Sequence, residues 1–388
     1  MGQASDLSRA EIFSLYKNIT NISQNIIMLE AKLDPKAALK KLGGTIKIAE
    51  YLKTVDDLDE LTATWWSEQL NLSEAKAKIN FGFSLYNDHQ KNYQKITKIA
   101  LATKKNLKTK NLSCRLVVGR EATLSSVIVA KNKLIDRELL IIKDNGRYIL
   151  AQTQAVQDFE DYSQRDVNRP IRDDRSGMLP IKVAQMMLNL AGPKITQNIL
   201  DPFCGSGTIL QEAALAGYPT IYGSDISAST IHSAQENINW LQKQLGKSNK
   251  IILKTTGVEN LSKHFQAQSI DLIVSEPFMG EARMIKQNHN LDTMYDIAQN
   301  LSQLYIKAFQ QFKIILKPGA KIIFIFPIFK IGKEYIYTLP GAQIKKMGFN
   351  PIFSTTNLNY ASRNGNIIYA RPEQIVQREI AIYSIQAN

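Results

Sequence analysis

Cysteine is scarce in this sequence of 388 residues, which contains only Cys114 and Cys204, far apart along the chain. A disulfide framework is therefore not expected, and free thiols are compatible with a reducing cytosol, so we predict a cytoplasmic protein. The 4 histidines are isolated from one another and show none of the spacings typical of metal ligands. The sequence accordingly predicts no metal site.

Long hydrophobic runs are also missing, since no segment approaches the roughly 18 consecutive apolar residues of a membrane span. The strongest apolar run, residues 322–329, lies between Lys321 and Lys330 and is typical of a buried strand. No hydrophobic region follows Met1, so we expect no signal peptide and no membrane partner. With 44% hydrophobic and 21% charged residues, the composition indicates a soluble globular protein, and the length indicates two or three domains.

Acidic residues are too few to balance the basic ones, and the net charge is +13. The first 150 residues contain 24 Lys and Arg against 16 Asp and Glu. A protein this basic tends to bind a polyanion through its accumulated field and the release of counterions. Lysine-rich proteomes make basic proteins of every kind, so the charge suggests a nucleic acid partner without establishing it.

The C-terminal half has the pattern of a doubly wound α/β domain from about Ser176 onward, because short β-branched runs alternate with longer amphipathic stretches. We predict helices over 208–216, ended by Gly217, from Ser227 towards Gly246, and over 291–315. The predicted strands are 195–200, 220–224, 251–255, 270–275, 321–326 (after a turn at 317–319), 367–370 and 379–384.

The N-terminal half is organised differently, with lysine-rich helical segments that include a helix-like stretch over 7–17. Strand-like runs at 80–85, 124–130 and 138–142 indicate a smaller α+β region. Between the halves, residues 162–175 are rich in arginine and aspartate and predict a linker whose arginines contact phosphate. The alternative interpretation is a solvated hinge that makes only internal ion pairs.

The sequence Asp201-Pro-Phe-Cys-Gly-Ser-Gly-Thr208 connects a predicted strand directly to a predicted helix. Gly205 and Gly207 permit a close approach of ligand to backbone at the carboxyl end of the strand, where open α/β sheets bind ligands. The loop is not a dinucleotide-binding fingerprint, because that motif needs a third glycine at the position of Leu210. The negative charge of Asp201 also suits an ammonium group of a ligand better than a diphosphate. The loop therefore predicts S-adenosylmethionine as cofactor, bound by Asp201, Pro202, Phe203, Cys204, Gly205, Ser206, Gly207 and Thr208.

Two further strand ends complete the predicted cofactor pocket. Asp225 ends the second strand, where a carboxylate can accept both hydroxyl hydrogens of a ribose, and Ile226 follows it. After the third strand, Val258 occupies the position expected for an acid or amide near adenine, so Glu259 or a backbone contact must serve there.

The sequence Ser275-Glu-Pro-Phe-Met-Gly280 follows the fourth predicted strand, where amino-group methyltransferases have Asp-Pro-Pro-Tyr or a relative of it. An exocyclic amine on a purine is a weak nucleophile, and a carboxylate that accepts its N–H bonds improves attack and helps to remove the proton. We expect Glu276 to accept the amine, Pro277 to hold the turn and Phe278 to stack on the base. The alternative is a strand-end carboxylate in a domain that has lost activity or changed its target.

With these loops the chain resembles the THUMP-containing tRNA guanine-N2-methyltransferases, the family that modifies guanosine at tRNA position ten in archaea and eukaryotes. The resemblance covers nearly the whole chain, and its segments are 42–50, 79–84, 124–127, 165–173, 176–180 and the helix 182–190. It implies that Met178 and Pro180 line the methionine side of the cofactor pocket. It also implies that RNA is contacted by a basic set of residues, namely Lys104, Lys105, Lys108, Lys110, Arg115 and Arg120. We expect the linker residues Arg169 and Arg172 to contact RNA as well.

The resemblance implies a fold and a domain order. We expect a ferredoxin-like subdomain over 1–60, a THUMP RNA-binding domain over 61–160, a linker over 161–176, and a Rossmann-like methyltransferase domain over 177–388. That last domain is an α/β fold with seven strands, the last of them antiparallel. Because a helix is predicted where relatives have an opening strand, the first subdomain either lacks that strand or has lost residues before Met1.

The leading hypothesis is S-adenosylmethionine-dependent methylation of the N2 amine of a guanosine in tRNA, at position ten. Two alternatives stay open: methylation of an adenine amino group in RNA or DNA, and a tRNA-binding protein that keeps the fold without turnover. We expect a monomer. Some members of the family require a small zinc-binding activator subunit, and the sequence does not indicate whether this chain does.

Overall fold

The computed structural model describes residues 4–70, 78–172, 178–193, 197–246, 249–281, 285, 290–352, 364–371 and 374–386. They form two compact units. The N-terminal unit contains residues 18–41 and 45–161, and the C-terminal unit contains residues 4–17, 42–44 and the chain from 162 onward. Among the described helices, none has the combination of length and hydrophobicity that is needed to traverse a bilayer.

The helices, in chain order, are α1 (Ser5–Leu15), α2 (Pro35–Lys41), α3 (Ala63–Gln69), α4 (Gln90–Thr109), α5 (Ser126–Lys131), α6 (Phe159–Val167), α7 (Ile181–Leu190), α8 (Thr208–Ala216), α9 (Ala228–Leu245), α10 (Leu261–His264), α11 (Leu291–Ile315) and α12 (Gly341–Lys346). Short 3₁₀ turns lie at Leu58–Glu60 and Val258–Asn260.

The strands are β1 (Ile19–Ser23), β2 (Ile26–Leu29), β3 (Lys47–Val55), β4 (Ile79–Tyr86), β5 (Cys114–Val117), β6 (Glu138–Asp144), β7 (Arg147–Val156), β8 (Asn198–Asp201), β9 (Thr220–Asp225), β10 (Lys250–Thr255), β11 (Ile270–Ser275), β12 (Leu316–Ile331), β13 (Glu334–Tyr337), β14 (Phe349–Pro351), β15 (Ile367–Tyr369) and β16 (Val376–Ile385).

The N-terminal unit is built on a sheet of 5 strands in the order β3-β7-β6-β4-β5, beside a small β1-β2 ribbon. Its core is centred on Trp66, whose ring meets those of Phe81 and Phe83 edge-on at 5.9 and 6.0 Å between centroids. The predicted strands 80–85 and 138–142 are confirmed as β4 and β6. The boundary predicted after residue 60 falls inside this unit, because β3 pairs with β7 along its length.

One predicted strand in this unit is wrong. Residues 124–130 read as a β-branched run, but Ser126–Lys131 is the helix α5. Ser125 is its N-cap, with a hydroxyl that accepts a hydrogen bond from the Ile128 N–H at 3.3 Å. The cap supplies an acceptor for one of the unpaired amides of the first turn, and Val129 and Leu134 are buried beneath the segment. Local capping and packing therefore override the β propensity of the run.

The C-terminal unit is a doubly wound α/β structure with a sheet of 9 strands. Seven of them follow the order β10-β9-β8-β11-β12-β16-β14, and β13 and β15 pair off that path, so the sheet is larger than the seven strands predicted. Strands β10, β9, β8, β11 and β12 are parallel, and β16 runs antiparallel to β12. The predicted helices at 208–216 and 291–315 are confirmed as α8 and α11, and Ser227 caps α9 as predicted.

Residues from the start of the chain belong to this second unit. The buried carboxylate of Glu11 on α1 accepts hydrogen bonds from the N–H groups of Gly43 and Gly44 at 2.8 and 3.0 Å, and from the Asn189 amide at 2.7 Å. Burial raises the pKa of Glu11 to about 7, against the effect of these three donors. A Cβ on Gly44 would lie 2.2 Å from the Ser8 hydroxyl oxygen, so glycine is needed for this close approach.

The helix α11 contributes the fully buried rings of Tyr305, Phe309 and Phe312 to the aromatic core on its face of the sheet. The ring of Phe309 is fully buried and packs against Phe324, Phe349 and Tyr383, with centroid distances of 5.5, 5.1 and 5.6 Å. These residues come from β12, β14 and β16, so one side chain connects the helix to three strands.

We expect Phe309→Ala to lower the free energy of unfolding of the C-terminal unit by about 3–5 kcal/mol, because it removes a fully packed ring and leaves a cavity. The matched control is Ile314→Ala on the same helix, where the side chain is 45% exposed and the change should stay within about 0.5 kcal/mol. Urea unfolding with hydrogen exchange by mass spectrometry measures both. Equal losses in the two variants would contradict this account of the core.

Candidate active site

Three loops meet at one edge of the sheet because β8, β9 and β11 are neighbouring parallel strands. Parallel strands place their carboxyl ends at the same edge. Asp201, Asp225 and Ser275 are the last residues of these strands. The sequence elements predicted to bind cofactor and to carry the reacting carboxylate are therefore brought together.

The loop after β8 bends sharply before it enters α8. Gly205 has φ +51° and Gly207 has φ +88°, both in the left-handed region that favours glycine. The Cys204 N–H donates to the Ser224 carbonyl at 2.9 Å, and the Gly207 N–H donates to the Cys204 carbonyl at 2.8 Å. A Cβ placed on Gly205 would meet no atom within 4 Å, so the backbone there borders open space that a ligand can enter.

Asp225 is oriented by the same loop. One carboxylate oxygen accepts a hydrogen bond from the Gly205 N–H at 3.2 Å, and the other accepts one from the Ser227 N–H at 3.0 Å. The next residue, Ile226, is a hydrophobic side chain that is 74% exposed. A fixed carboxylate beside an exposed apolar side chain matches the polar ribose and the flat base of an adenosine.

Asp201 connects the cofactor loop to the loop after β11. Its carboxylate accepts a hydrogen bond from the Ser275 hydroxyl at 2.6 Å and one from the Phe203 N–H at 3.2 Å. The residue is 2% exposed, and this burial raises the pKa of Asp201 to about 7, although both hydrogen bonds oppose the shift and the nearby Asp225 and Glu276 add to it. The buried carboxyl group thus fixes the distance between two loops.

Only some of the adenine contacts predicted for the segment after β10 are available in the structure. The side chain of Val258 is 3% exposed and packs in the core, so only its backbone can face a ligand. Glu259 is exposed, and its carboxylate lies 2.4 Å from where a Cβ on Gly257 would stand. The Thr256 N–H donates to the Asp225 carbonyl at 2.9 Å and ties this segment to the ribose-binding candidate.

Arg169 is not at the surface, which contradicts its prediction as a phosphate-binding residue. It is 3% exposed, with one terminal nitrogen 2.9 Å from the Thr208 hydroxyl oxygen and the other 2.7 Å from the Met178 sulfur. It therefore joins the start of α8 to Met178, which lies close to Pro180, the N-cap of α7.

The predicted linker is partly helical, since α6 extends to Val167. Arg172 is exposed, and Ser176 and Gly177 lie outside the described residues.

The loop after β11 presents one carboxylate and one aromatic ring. The Glu276 side chain is 12% exposed and accepts a hydrogen bond from the Nε of Arg378 at 2.6 Å. Burial raises the pKa of Glu276, and the charge and hydrogen bond of Arg378 oppose the shift. Phe278 is 53% exposed, and its carbonyl accepts a hydrogen bond from the Tyr305 hydroxyl at 2.8 Å.

Sequence reasoning missed Arg378 and Tyr305, which lie on β16 and α11. A signal for Arg378 exists, because an arginine and a glutamate interrupt the apolar strand 376–385. A buried charge in a central strand needs a partner, and Glu276 supplies it. Nothing in the sequence around Tyr305 distinguishes its hydroxyl from those of other core tyrosines.

The basic set predicted to bind RNA lies in the N-terminal unit on the second half of α4, on β5 and just beyond it. Lys104 is half-buried. The other members are exposed, namely Lys105, Lys108, Lys110, Arg115 and Arg120. Lys98, Lys105 and Lys108 lie seven and three residues apart on α4 and share one exposed helix face.

Residues 169–330 match the UPF0020 family, an RMKL-like methyltransferase domain. A segment of 120 residues is 38% identical to the tRNA (guanine(10)-N2)-dimethyltransferase of Methanothermobacter thermautotrophicus and covers 31% of this chain and 34% of that protein. A segment of 99 residues is 37% identical to the U6 snRNA (guanine-N(2))-methyltransferase of Bos taurus and covers 25% of this chain and 18% of that protein. The aligned segments thus span 34% and 18% of the length of these two curated relatives.

A solved structure with a similar fold is TrmN from Thermus thermophilus. The TM-score is 0.51 at 16% sequence identity, over 92% of this chain and 88% of that one. The likeness shows a shared α/β methyltransferase fold with a mostly parallel central sheet. The open space at Gly205 and the fixed carboxylate of Asp225 fit S-adenosylmethionine, the cofactor that the sequence predicts.

We expect Gly205→Ala to fold but to bind S-adenosylhomocysteine at least about tenfold more weakly, a loss of roughly 1.4 kcal/mol or more, because the methyl group enters the space left for the ligand. The left-handed φ adds a strain of about 1–2 kcal/mol to the folded state. The matched control is Gly332→Ala, which has φ +60° and equally open surroundings in the turn after β12. Calorimetric titration and thermal unfolding separate the two effects, and equal affinities for the two variants would refute the placement of the ligand.

Proposed function

We propose that this chain, whose residues 169–330 form a methyltransferase domain of the UPF0020 family, methylates the exocyclic N2 amine of a guanosine in tRNA. The observation that carries the proposal is the hydrogen bond between Asp201 and Ser275, which holds the cofactor loop beside Glu276. Because Ser275 immediately precedes Glu276, a cofactor seated at Gly205 and an amine held at Glu276 are neighbours. The roles of the cofactor-binding and reacting residues follow from that arrangement.

The cofactor contacts follow from the geometry of the carboxyl edge. Asp225 binds the ribose hydroxyls, and Ile226 with the Val258 backbone and Glu259 borders the adenine. The backbone of 202–207 receives the methionine portion, and Met178 and Pro180 close its other side. The carboxylate of Asp201 favours the ammonium group of the cofactor.

The reacting groups of the protein are Glu276, Pro277 and Phe278. The carboxylate of Glu276 and the carbonyl of Pro277 accept the N–H bonds of the amine, which directs its lone pair out of the plane of the base and prepares the proton for removal. The exposed ring of Phe278 stacks on the base. Met279 packs against the core, so the ring of Phe278 performs the stacking one residue earlier than is usual for such loops. Bound S-adenosylmethionine supplies the electrophilic methyl group.

RNA is the proposed substrate class because of the positive charge of the chain and the names of its relatives. The relatives whose names are given above act on a guanine N2 in tRNA and in U6 snRNA, and both are RNA enzymes by name. The net charge of +13 and the exposed basic set on α4 and β5 supply contacts for a phosphate backbone. We assign tRNA as the partner, guanosine ten as the target, and the N-terminal unit as a THUMP-type RNA-binding region.

We expect Glu276→Gln to lower N2-methylguanosine formation by about a hundredfold to ten-thousandfold, because the amide loses the charge and basicity of the carboxylate. Binding of S-adenosylhomocysteine should stay close to wild type, since Glu276 serves the amine. The matched control is Glu281→Gln, an exposed carboxylate five residues further along the chain. The measurement is nucleoside mass spectrometry of tRNA with position mapping.

Two other results of that assay would decide against the proposal. Methyl label in N6-methyladenosine instead of N2-methylguanosine would establish the adenine alternative. Tight tRNA binding with no modification by wild-type protein, and no difference on Glu276→Gln, would indicate a binding protein without turnover.

We expect the double variant Lys105→Ala/Lys108→Ala to bind tRNA more weakly and with a lower salt dependence, because two phosphate contacts are lost. The slope of log affinity against log salt concentration should decrease by about 1 to 2 units. The double variant Lys32→Ala/Lys36→Ala removes the same charge from exposed positions of the N-terminal unit outside the basic set and should keep more of the slope. Identical slopes for the two double variants would show that only the total charge matters.

A further inference from the structure

The buried arginine that contacts Glu276 has donors left over. The Arg378 side chain is 7% exposed, and its only hydrogen bond to a described residue runs from Nε to one oxygen of Glu276, at 2.6 Å. Its guanidinium carbon lies 6.0 Å from the centre of the Tyr369 ring on the adjacent strand β15. The two terminal nitrogens make no hydrogen bond to any residue the structure describes. Neither nitrogen is among the fully buried unpaired atoms of the described residues, so both reach the surface, where a ligand can pair them.

The carboxylate of Glu276 in turn has an acceptor left over. Only one oxygen of Glu276 accepts a hydrogen bond from the described part of the chain, so the other is available. Because the guanidinium group is planar, one terminal nitrogen lies on the same edge as Nε, next to the carboxylate. The pair thus offers two carboxylate oxygens as acceptors beside a nitrogen donor.

We propose that Glu276 and Arg378 together read the Watson–Crick edge of guanine. Guanine presents N2–H and N1–H as donors next to O6 as an acceptor. The oxygens of Glu276 accept from N2–H and N1–H, and a terminal nitrogen of Arg378 donates to O6. This inference rests on the proposed function and makes Arg378 a specificity-determining residue.

The same pair discriminates against adenine. Beside its amino group adenine has an N1 lone pair where guanine has N1–H, and that lone pair would face a carboxylate oxygen. On the other side of N1 adenine has C2–H, where guanine has the O6 carbonyl that receives the donor from Arg378. A site with buried polar groups rejects a base that leaves them unpaired. A carboxylate alone would lack the donor for O6, so the arginine completes the recognition.

The test uses a tRNA that the wild-type protein methylates, with the mapped target guanosine replaced by 2-aminopurine through ligation. That base keeps the amine at C2 but lacks both O6 and N1–H. We expect wild type to prefer guanosine by more than about tenfold in kcat/KM. In Arg378→Met the preference should fall by about tenfold, because guanosine methylation slows while 2-aminopurine methylation changes little.

Two further variants control the experiment. Arg378→Lys keeps a cation beside Glu276 without the planar fork, so it should retain more activity than Arg378→Met while losing the same part of the preference. Arg371→Met removes an exposed arginine near β15 and should leave the preference unchanged. Thermal unfolding and S-adenosylhomocysteine binding establish that each variant is folded.

The possible outcomes distinguish a failure of this inference from a failure of the proposed function. If Arg378→Met slowed both bases equally, Arg378 would only position Glu276 or contact a phosphate, and the inference would be overturned while the proposed function stood. If wild type preferred neither base, the inference would also be overturned. If wild type formed no N2-methylguanosine in any tRNA, the proposed function itself would fail, and this inference with it.

Discussion

The hydrogen bond from Ser275 to Asp201 is the contact on which the arrangement of the site depends. At 2.6 Å, and with Asp201 2% exposed, it joins the ends of β8 and β11 in surroundings from which water is excluded. Removal of either partner would leave a buried polar group unpaired, which is costly. The glycine loop follows one end of this bond and Glu276 follows the other, so the distance between that loop and Glu276 is set by the sheet itself.

A second constraint keeps α7 and the segment before it in place. The carboxylate of Glu11 joins α1, the Gly43–Gly44 segment and the end of α7, and burial raises its pKa to about 7. The other end of α7 begins after Pro180 and the neighbouring Met178, which Arg169 links to α8. The start of the chain therefore supports the C-terminal unit, and a boundary drawn by sequence order alone divides what the fold puts together.

The parts of the fold that the sequence predicted well are those specified by neighbouring residues. The helices 208–216 and 291–315, the Ser227 cap and the bend at Gly205 and Gly207 depend on local propensity and backbone geometry. The helix at Ser126–Lys131, the burial of Arg169 and the pairing of Glu276 with Arg378 were missed because they depend on tertiary contacts. Glu276 and Arg378 are separated by 102 residues, and no local pattern around either residue specifies which acid will face which base.

The proposed reaction makes use of a difference in charge between the two units. The carboxyl edge brings Asp201, Asp225 and Glu276 together with Arg378 as the buried cation beside Glu276. A site with this excess of acids favours a cofactor that carries a sulfonium and an ammonium group, and it disfavours phosphate. In the proposed reaction the RNA backbone is therefore bound elsewhere, while a single neutral base enters the site. The exposed lysines and arginines of the N-terminal unit are the proposed contacts for that backbone, and this division would let a protein with an acidic site and a basic surface select one nucleotide from a polyanion.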